Sequence, residues 1–161
     1  MPKYPSRVRA GTGQGAIDYE RQPDLYAVRE HDGSGSSEAL AIIHDDATSS
    51  YAVYQRRSGK TALTPEQGPV YSAGPGGPLA VPTGRVFVRL SGGMRAEDRR
   101  REFAATGFEI ESIPSYAPNA AWLRPKAGGV ARALPAISAL KKVPGVVHVE
   151  PQLLLARALK R

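Results

Sequence analysis

The sequence predicts an α+β chain: a small β-rich subdomain over residues 23–82, then a β-α-β-β-α-β unit over residues 83–161 with an antiparallel sheet and two helices. Three observations predict it. Short apolar runs separated by turn-forming clusters fill the first part. A Gly/Pro-rich stretch divides the chain near residue 80. Beyond it, the apolar period switches between two and about 3.6 residues, the mark of strands alternating with helices.

In chain order, residues 1–22, with Gly11, Thr12, Gly13, Gln14 and Gly15, show no apolar period and are expected to form a flexible leader. Leu25-Tyr26-Ala27-Val28, Ala39-Leu40-Ala41-Ile42-Ile43 and Tyr51-Ala52-Val53-Tyr54 read as strands of a small antiparallel sheet. Between them lie His31 to Ser37 and His44 to Ser50, rich in Asp, Ser and Gly, whose side chains bond to nearby backbone and favour turns. From Gly68-Pro69 through Gly74-Pro75-Gly76-Gly77-Pro78 to Pro82-Thr83-Gly84 the chain is too interrupted for helix and reads as an extended connector.

Arg85-Val86-Phe87-Val88-Arg89-Leu90 alternates as a strand. Met94 to Ala105 follows as a helix by propensity, ended by Gly107, although Arg99 and Arg100 leave its apolar face thin. Phe108-Glu109-Ile110-Glu111 alternates again, Pro114 to Pro118 turns the chain, and Ala120-Ala121-Trp122-Leu123-Arg124 runs extended. Val130, Leu134, Ile137 and Leu140 mark one helical face that Pro144-Gly145 stops, and Pro135 must sit near the start of this helix or kink it. Val146-Val147-His148-Val149-Glu150 closes the pattern as a strand, and this order is that of the ferredoxin-like fold.

Charge follows the same division. The 161 residues carry a formal charge of +7. Residues 1–84 hold 8 basic and 9 acidic side chains, and residues 85–161 hold 14 and 6, so the whole excess lies in the second part. With no cysteine there are no disulfides, thiolate nucleophiles or Cys-based zinc sites, and three histidines remain for metal or acid–base work. No stretch reaches the roughly 20 apolar residues that span a bilayer, and Met1-Pro2-Lys3-Tyr4-Pro5 lacks the apolar core of a secretory signal, so the expected setting is cytoplasmic, away from membranes.

Several motifs have readings plainer than a functional site. Gly11 to Gly15 has neither the preceding strand nor the following Lys-Ser/Thr of a phosphate-binding loop. His31 and His44 lack a spaced third ligand, and no metal or other cofactor is expected. Arg99, Arg100 and Arg101, with Glu97, Asp98 and Glu102 beside them, read as a solvated, ion-paired face. Alternation turns Phe87 and Trp122 away from the core, flanked by Arg85, Arg89 and Arg124, which suggests a base-stacking surface for RNA or single-stranded DNA. Asn119 to Leu123, however, lacks the Lys/Arg-Gly-aromatic run of an RNA-recognition motif, so a protein partner is preferred.

Three stretches give that partner a class: Val86-Phe87-Val88-Arg89-Leu90 with Gly92-Gly93 and an Ala-Glu-Asp helix; Ser115-Tyr116-Ala117-Pro118-Asn119-Ala120; and Val143-Pro144-Gly145-Val146-Val147-His148-Val149-Glu150-Pro151-Gln152. Through them residues 85–158 resemble the propeptide of subtilases, the subtilisin-like serine peptidases, and residues 24–84 resemble the extra β-rich segment that some of those propeptides carry. The resemblance implies a ferredoxin-like domain without catalytic residues that binds a subtilisin-like serine protease, in the same precursor or in trans, inhibiting it and acting as a chaperone for its folding.

It further implies a sheet docking face, here Phe87, Trp122 and His148, and acidic contacts that cap two protease helices, here Glu150 and the neutral Gln152. It also implies a C-terminal tail, Leu153, Leu154, Leu155, Ala156, Arg157, Ala158, Leu159, Lys160 and Arg161, lying product-like in the protease cleft and ending functionally at Ala158 or Arg161. Two other readings stay open: the tail as a short amphipathic helix, and the whole chain as a binding module for some other protein.

Overall fold

A computed structural model of the chain describes residues 4–11, 13–31, 38–45, 49–56, 63–64, 66–127 and 129–156. The elements in order are β1 (Arg7–Ala10), a 3-10 turn (Gly13–Gly15), β2 (Ile17–Arg21), β3 (Leu25–His31), β4 (Ala41–His44), β5 (Ser49–Gln55), β6 (Gln67–Gly68), β7 (Tyr71–Ser72) and β8 (Leu79–Leu90). A 3-10 turn (Ala96–Arg99), α1 (Arg100–Ala105), β9 (Phe108–Ser112), β10 (Ala120–Pro125), α2 (Gly129–Lys141) and β11 (Val146–Leu155) follow. The fold is thus mixed α and β, with two α-helices among the described residues and antiparallel strand pairing. No described helix is long and apolar enough to cross a membrane.

The chain forms two compact units: Met1–Val8, Ile17–Pro82 and Leu153–Arg161 make the first, and Arg9–Ala16 and Thr83–Gln152 the second. Neither is continuous in sequence. Residues 1–22, expected as a leader, instead carry β1 and β2, because Val8 and Tyr19 reach the core at 5% and 7% exposure and supply the apolar anchors that a short strand needs. Leu153 to Ala156, assigned by sequence to the second part, belong to the first.

In the first unit a four-stranded sheet has the order β4-β5-β3-β6. β3 and β5 pair antiparallel over seven residues, from Leu25↔Gln55 to His31↔Ser49. Its core holds Ala27, Ile43, Tyr51, Val53, Val70 and Val81, with Leu154 and Ala156 packed against it. His44 ends β4, where sequence placed it in a loop. Elsewhere in this unit β2 pairs β7, and β7 pairs the start of β8 through Tyr71↔Ala80.

In the second unit β8 lies between β11 and β10, and β10 pairs β9, so the strands run β11-β8-β10-β9. Alternation along β8 sends Val86, Val88 and Leu90 inward, where they meet Ala121, Leu123, Phe103, Phe108, Leu140 and Val149. The expected first helix divides into a 3-10 turn and the six-residue α1. Its buried side chains are Ala96 and Phe103 alone, and so little apolar surface anchors no long helix. α2 carries Pro135 in its interior, seventh of its thirteen residues.

Candidate functional site

The face of this sheet opposite the helices is built by the side chains that alternation sends outward. β8 contributes Arg85, Phe87 and Arg89, β10 Trp122 and Arg124, β9 Glu109 and Glu111, and β11 His148, Glu150 and Gln152. Phe87 and Trp122 are directly opposed across the β8–β10 pair. Their rings lie 5.2 Å apart at 60°, within the range that favours tilted aromatic pairs. Both are half-buried.

Guanidinium groups cover the two rings: Arg85 sits 4.9 Å from the centre of Trp122, and Arg89 sits 5.7 Å from that of Phe87. Arg85 also bonds Glu111 at 2.9 Å, and Arg124 bonds Glu109 at 2.6 Å. Among the described residues Arg89 has no carboxylate partner. The two glutamates are readable in the alternation Phe108-Glu109-Ile110-Glu111, which marks the strand and also puts both carboxylates on one face.

Along β11 the expected contact residues are engaged within the chain. His148 Nε2 lies 3.2 Å from Glu150 Oε2, and Glu150 Oε1 accepts the Gly11 backbone N–H at 2.7 Å. Gln152 Oε1 accepts the Thr83 hydroxyl at 2.7 Å and Arg85 Nη1 at 3.5 Å. The two residues whose resemblance-based role is to cap partner helices therefore cap groups of their own unit here. No sequence signal pairs residue 11 with residue 150, because a backbone amide leaves no trace in residue type.

The tail departs further from expectation. Leu153, Leu154 and Leu155 continue β11, and the Ala156 N–H donates to the Leu79 carbonyl at 2.8 Å. The expectation from sequence is a tail after Pro151 that is extended when partner-bound and disordered when free. Pro151 interrupts nothing, since it is itself a strand residue and buried, and the leucines beyond it supply apolar area that the first unit's core takes up. Arg157, Ala158, Leu159, Lys160 and Arg161 lie outside the described residues, as does the side chain of His31.

The charged helix face behaves as its sequence suggests at one position: Arg100 bonds Glu97 at 2.7 Å, a pair one turn apart that holds the Glu97 carboxyl below its usual range. Arg99 instead donates to the Pro144 carbonyl at 3.0 Å. No group of three or more potential metal ligands occurs among the described residues. Comparison with protein-family models, curated proteins and solved structures finds no match to the chain.

Proposed function

We propose that the chain is a protein-binding inhibitor and folding helper of a subtilisin-like serine protease, docking through the outer sheet face of its second unit. The observation that carries this reading is the Phe87–Trp122 pair, half-buried and framed by Arg85, Arg89 and Arg124 on a regular strand surface. Aromatic and arginine side chains on a rigid support are the residues that dominate protein–protein hot spots. The strand order β11-β8-β10-β9, with α1 and α2 in the two crossovers, fits the ferredoxin-like arrangement that the resemblance to subtilase propeptides implies.

Charge favours a protein over a nucleic acid. Phosphate recognition needs uncompensated cations along the contact surface, whereas Arg85 and Arg124 are each matched by a carboxylate. Inhibition by sheet docking is compatible with the paired state of Leu153 to Leu155. Product-like occupation of a cleft requires either residues beyond Ala156 or release of the end of β11.

The test is hydrolysis of a chromogenic peptide by a subtilisin-type protease in the presence of the full chain or of a chain ending at Ala156. Truncation at Pro151 would be misleading, because it removes Leu154 and Ala156 from the first unit's core. Inhibition by the full chain at micromolar concentration is expected, with the shorter chain still binding but inhibiting less. Failure of both to bind or slow the protease would overturn the reading.

A further inference from the structure

On the helix side of the second unit's sheet, away from the aromatic pair, a cleft of about 330 Å³ opens where the end of α1, the start of β9, the end of β10 and α2 meet. Ligand pockets span about 300–1,000 Å³, so this one suits a small molecule. Its floor is apolar: Phe108 is buried, and Ala104, Pro125 and Ala136 are half-buried beside it. Two exposed cations from different elements complete the lining, Lys126 just after β10 and Arg132 early in α2, and no lining side chain is acidic.

Hydrogen-bonding capacity at the cleft is unevenly spent. The Thr106 hydroxyl donates to the Phe103 carbonyl at 2.7 Å, the Gly107 N–H to the Ala104 carbonyl at 3.0 Å, and the Lys126 N–H to the Gly107 carbonyl at 2.9 Å. Arg85, Arg100 and Arg124 of the same unit each meet a carboxylate. The head groups of Lys126 and Arg132 have neither hydrogen bond nor ion pair. Ammonium and guanidinium groups only donate, so a ligand that satisfies them must accept. Two like charges beside one low-dielectric recess favour an acceptor that is itself negative.

We propose that this cleft binds a small organic anion: a carboxylate or phosphate monoester on a ring-sized apolar body. The head group lies between Lys126 and Arg132, whose guanidinium fork matches either anion, and the body covers Phe108, Pro125 and Ala136. The site is independent of the docking reading, since it uses neither the outer sheet face nor the tail.

The test is a titration of the isotope-labelled full chain with phenyl phosphate and with benzoate, read from the amide signals of Thr106, Gly107, Lys126 and Ala127. Saturable shifts confined to these signals are expected, and the tighter of the two probes names the preferred head group. Inorganic phosphate, which lacks the apolar body, should bind at least about tenfold more weakly. Lys126→Gln combined with Arg132→Gln should weaken phenyl phosphate by at least about tenfold. Lys141→Gln combined with Lys142→Gln removes the same charge at the far end of α2 and should leave binding unchanged. Equal weakening by the two double variants would mean that the net charge of the unit alone attracts the anion, and would overturn the site. So would the absence of saturation by both probes, or inorganic phosphate binding as tightly as phenyl phosphate.

Discussion

On the proposed reading, Trp122 and Phe103 separate two tasks within one unit. Phe103 is fully buried among Val86, Val88 and Leu140, and its truncation to alanine is expected to cost about 3 to 5 kcal/mol of stability. Trp122 lies on the other side of the same sheet, half-buried and braced by Phe87 and Arg85. Trp122→Ala is expected to lower stability by less than Phe103→Ala but to weaken protease binding by about 2 kcal/mol or more. Denaturant unfolding and an inhibition assay on the two variants check this; equal loss of stability with unchanged inhibition would remove Trp122 from the docking surface. The outward direction of both aromatics is legible in strand alternation alone, because Val86, Val88, Ala121 and Leu123 leave no other face for them. The commitments of Glu150 and Gln152 are not, since their partners, the Gly11 amide and the Thr83 hydroxyl, lie 139 and 69 residues away in sequence.

At the scale of elements, what the sequence conveys depends on how much apolar surface each element buries. The second-unit part of β8 alternates cleanly, and β9 and β10 alternate well enough to be recognisable despite the register shift between Trp122 and Leu123. β1 and β2 each hang on a single anchor, Val8 or Tyr19, too few to form a visible pattern. α2 is the opposite case: its apolar period is plain, yet it tolerates Pro135 at an exposed interior position. Proline there has no N–H for the Ala131 carbonyl one turn earlier, and its ring crowds that carbonyl. Pro135→Ala restores the bond and is expected to stabilise the second unit by about 1 to 3 kcal/mol. The measurement is the denaturant midpoint read by Trp122 fluorescence, and a midpoint that does not rise would mean that the helix has already adapted its geometry around the ring.

At the scale of the molecule, the two units have separate cores and unequal chemistry. The first holds Tyr4, Tyr19, Tyr26, Tyr51, Tyr54 and Tyr71, while the second holds Tyr116 and the lone tryptophan. Three of the first unit's phenols have their pKa raised. Tyr71, which donates to the Pro5 carbonyl at 2.8 Å, is pushed far up by burial against the opposing pull of Arg21. Burial likewise raises Tyr51 against Arg29, and Tyr4 against Arg21. A phenol whose folded pKa exceeds its unfolded value of about 10 holds its proton more tightly in the native state. Its contribution is therefore fully present below about pH 10 and is lost as the pH rises from there through the folded values. The first unit should consequently weaken in alkaline solution ahead of the second. Unfolding followed in parallel by tyrosine near-ultraviolet dichroism and by Trp122 fluorescence is expected to give a tyrosine midpoint that falls between about pH 8 and about pH 11, with a smaller fall in the tryptophan midpoint. Tyr71→Phe should remove much of the difference, because it leaves the ring in place and takes away the proton. Equal falls in both signals, with no effect of Tyr71→Phe, would mean that the buried phenols do not control the first unit's response to pH.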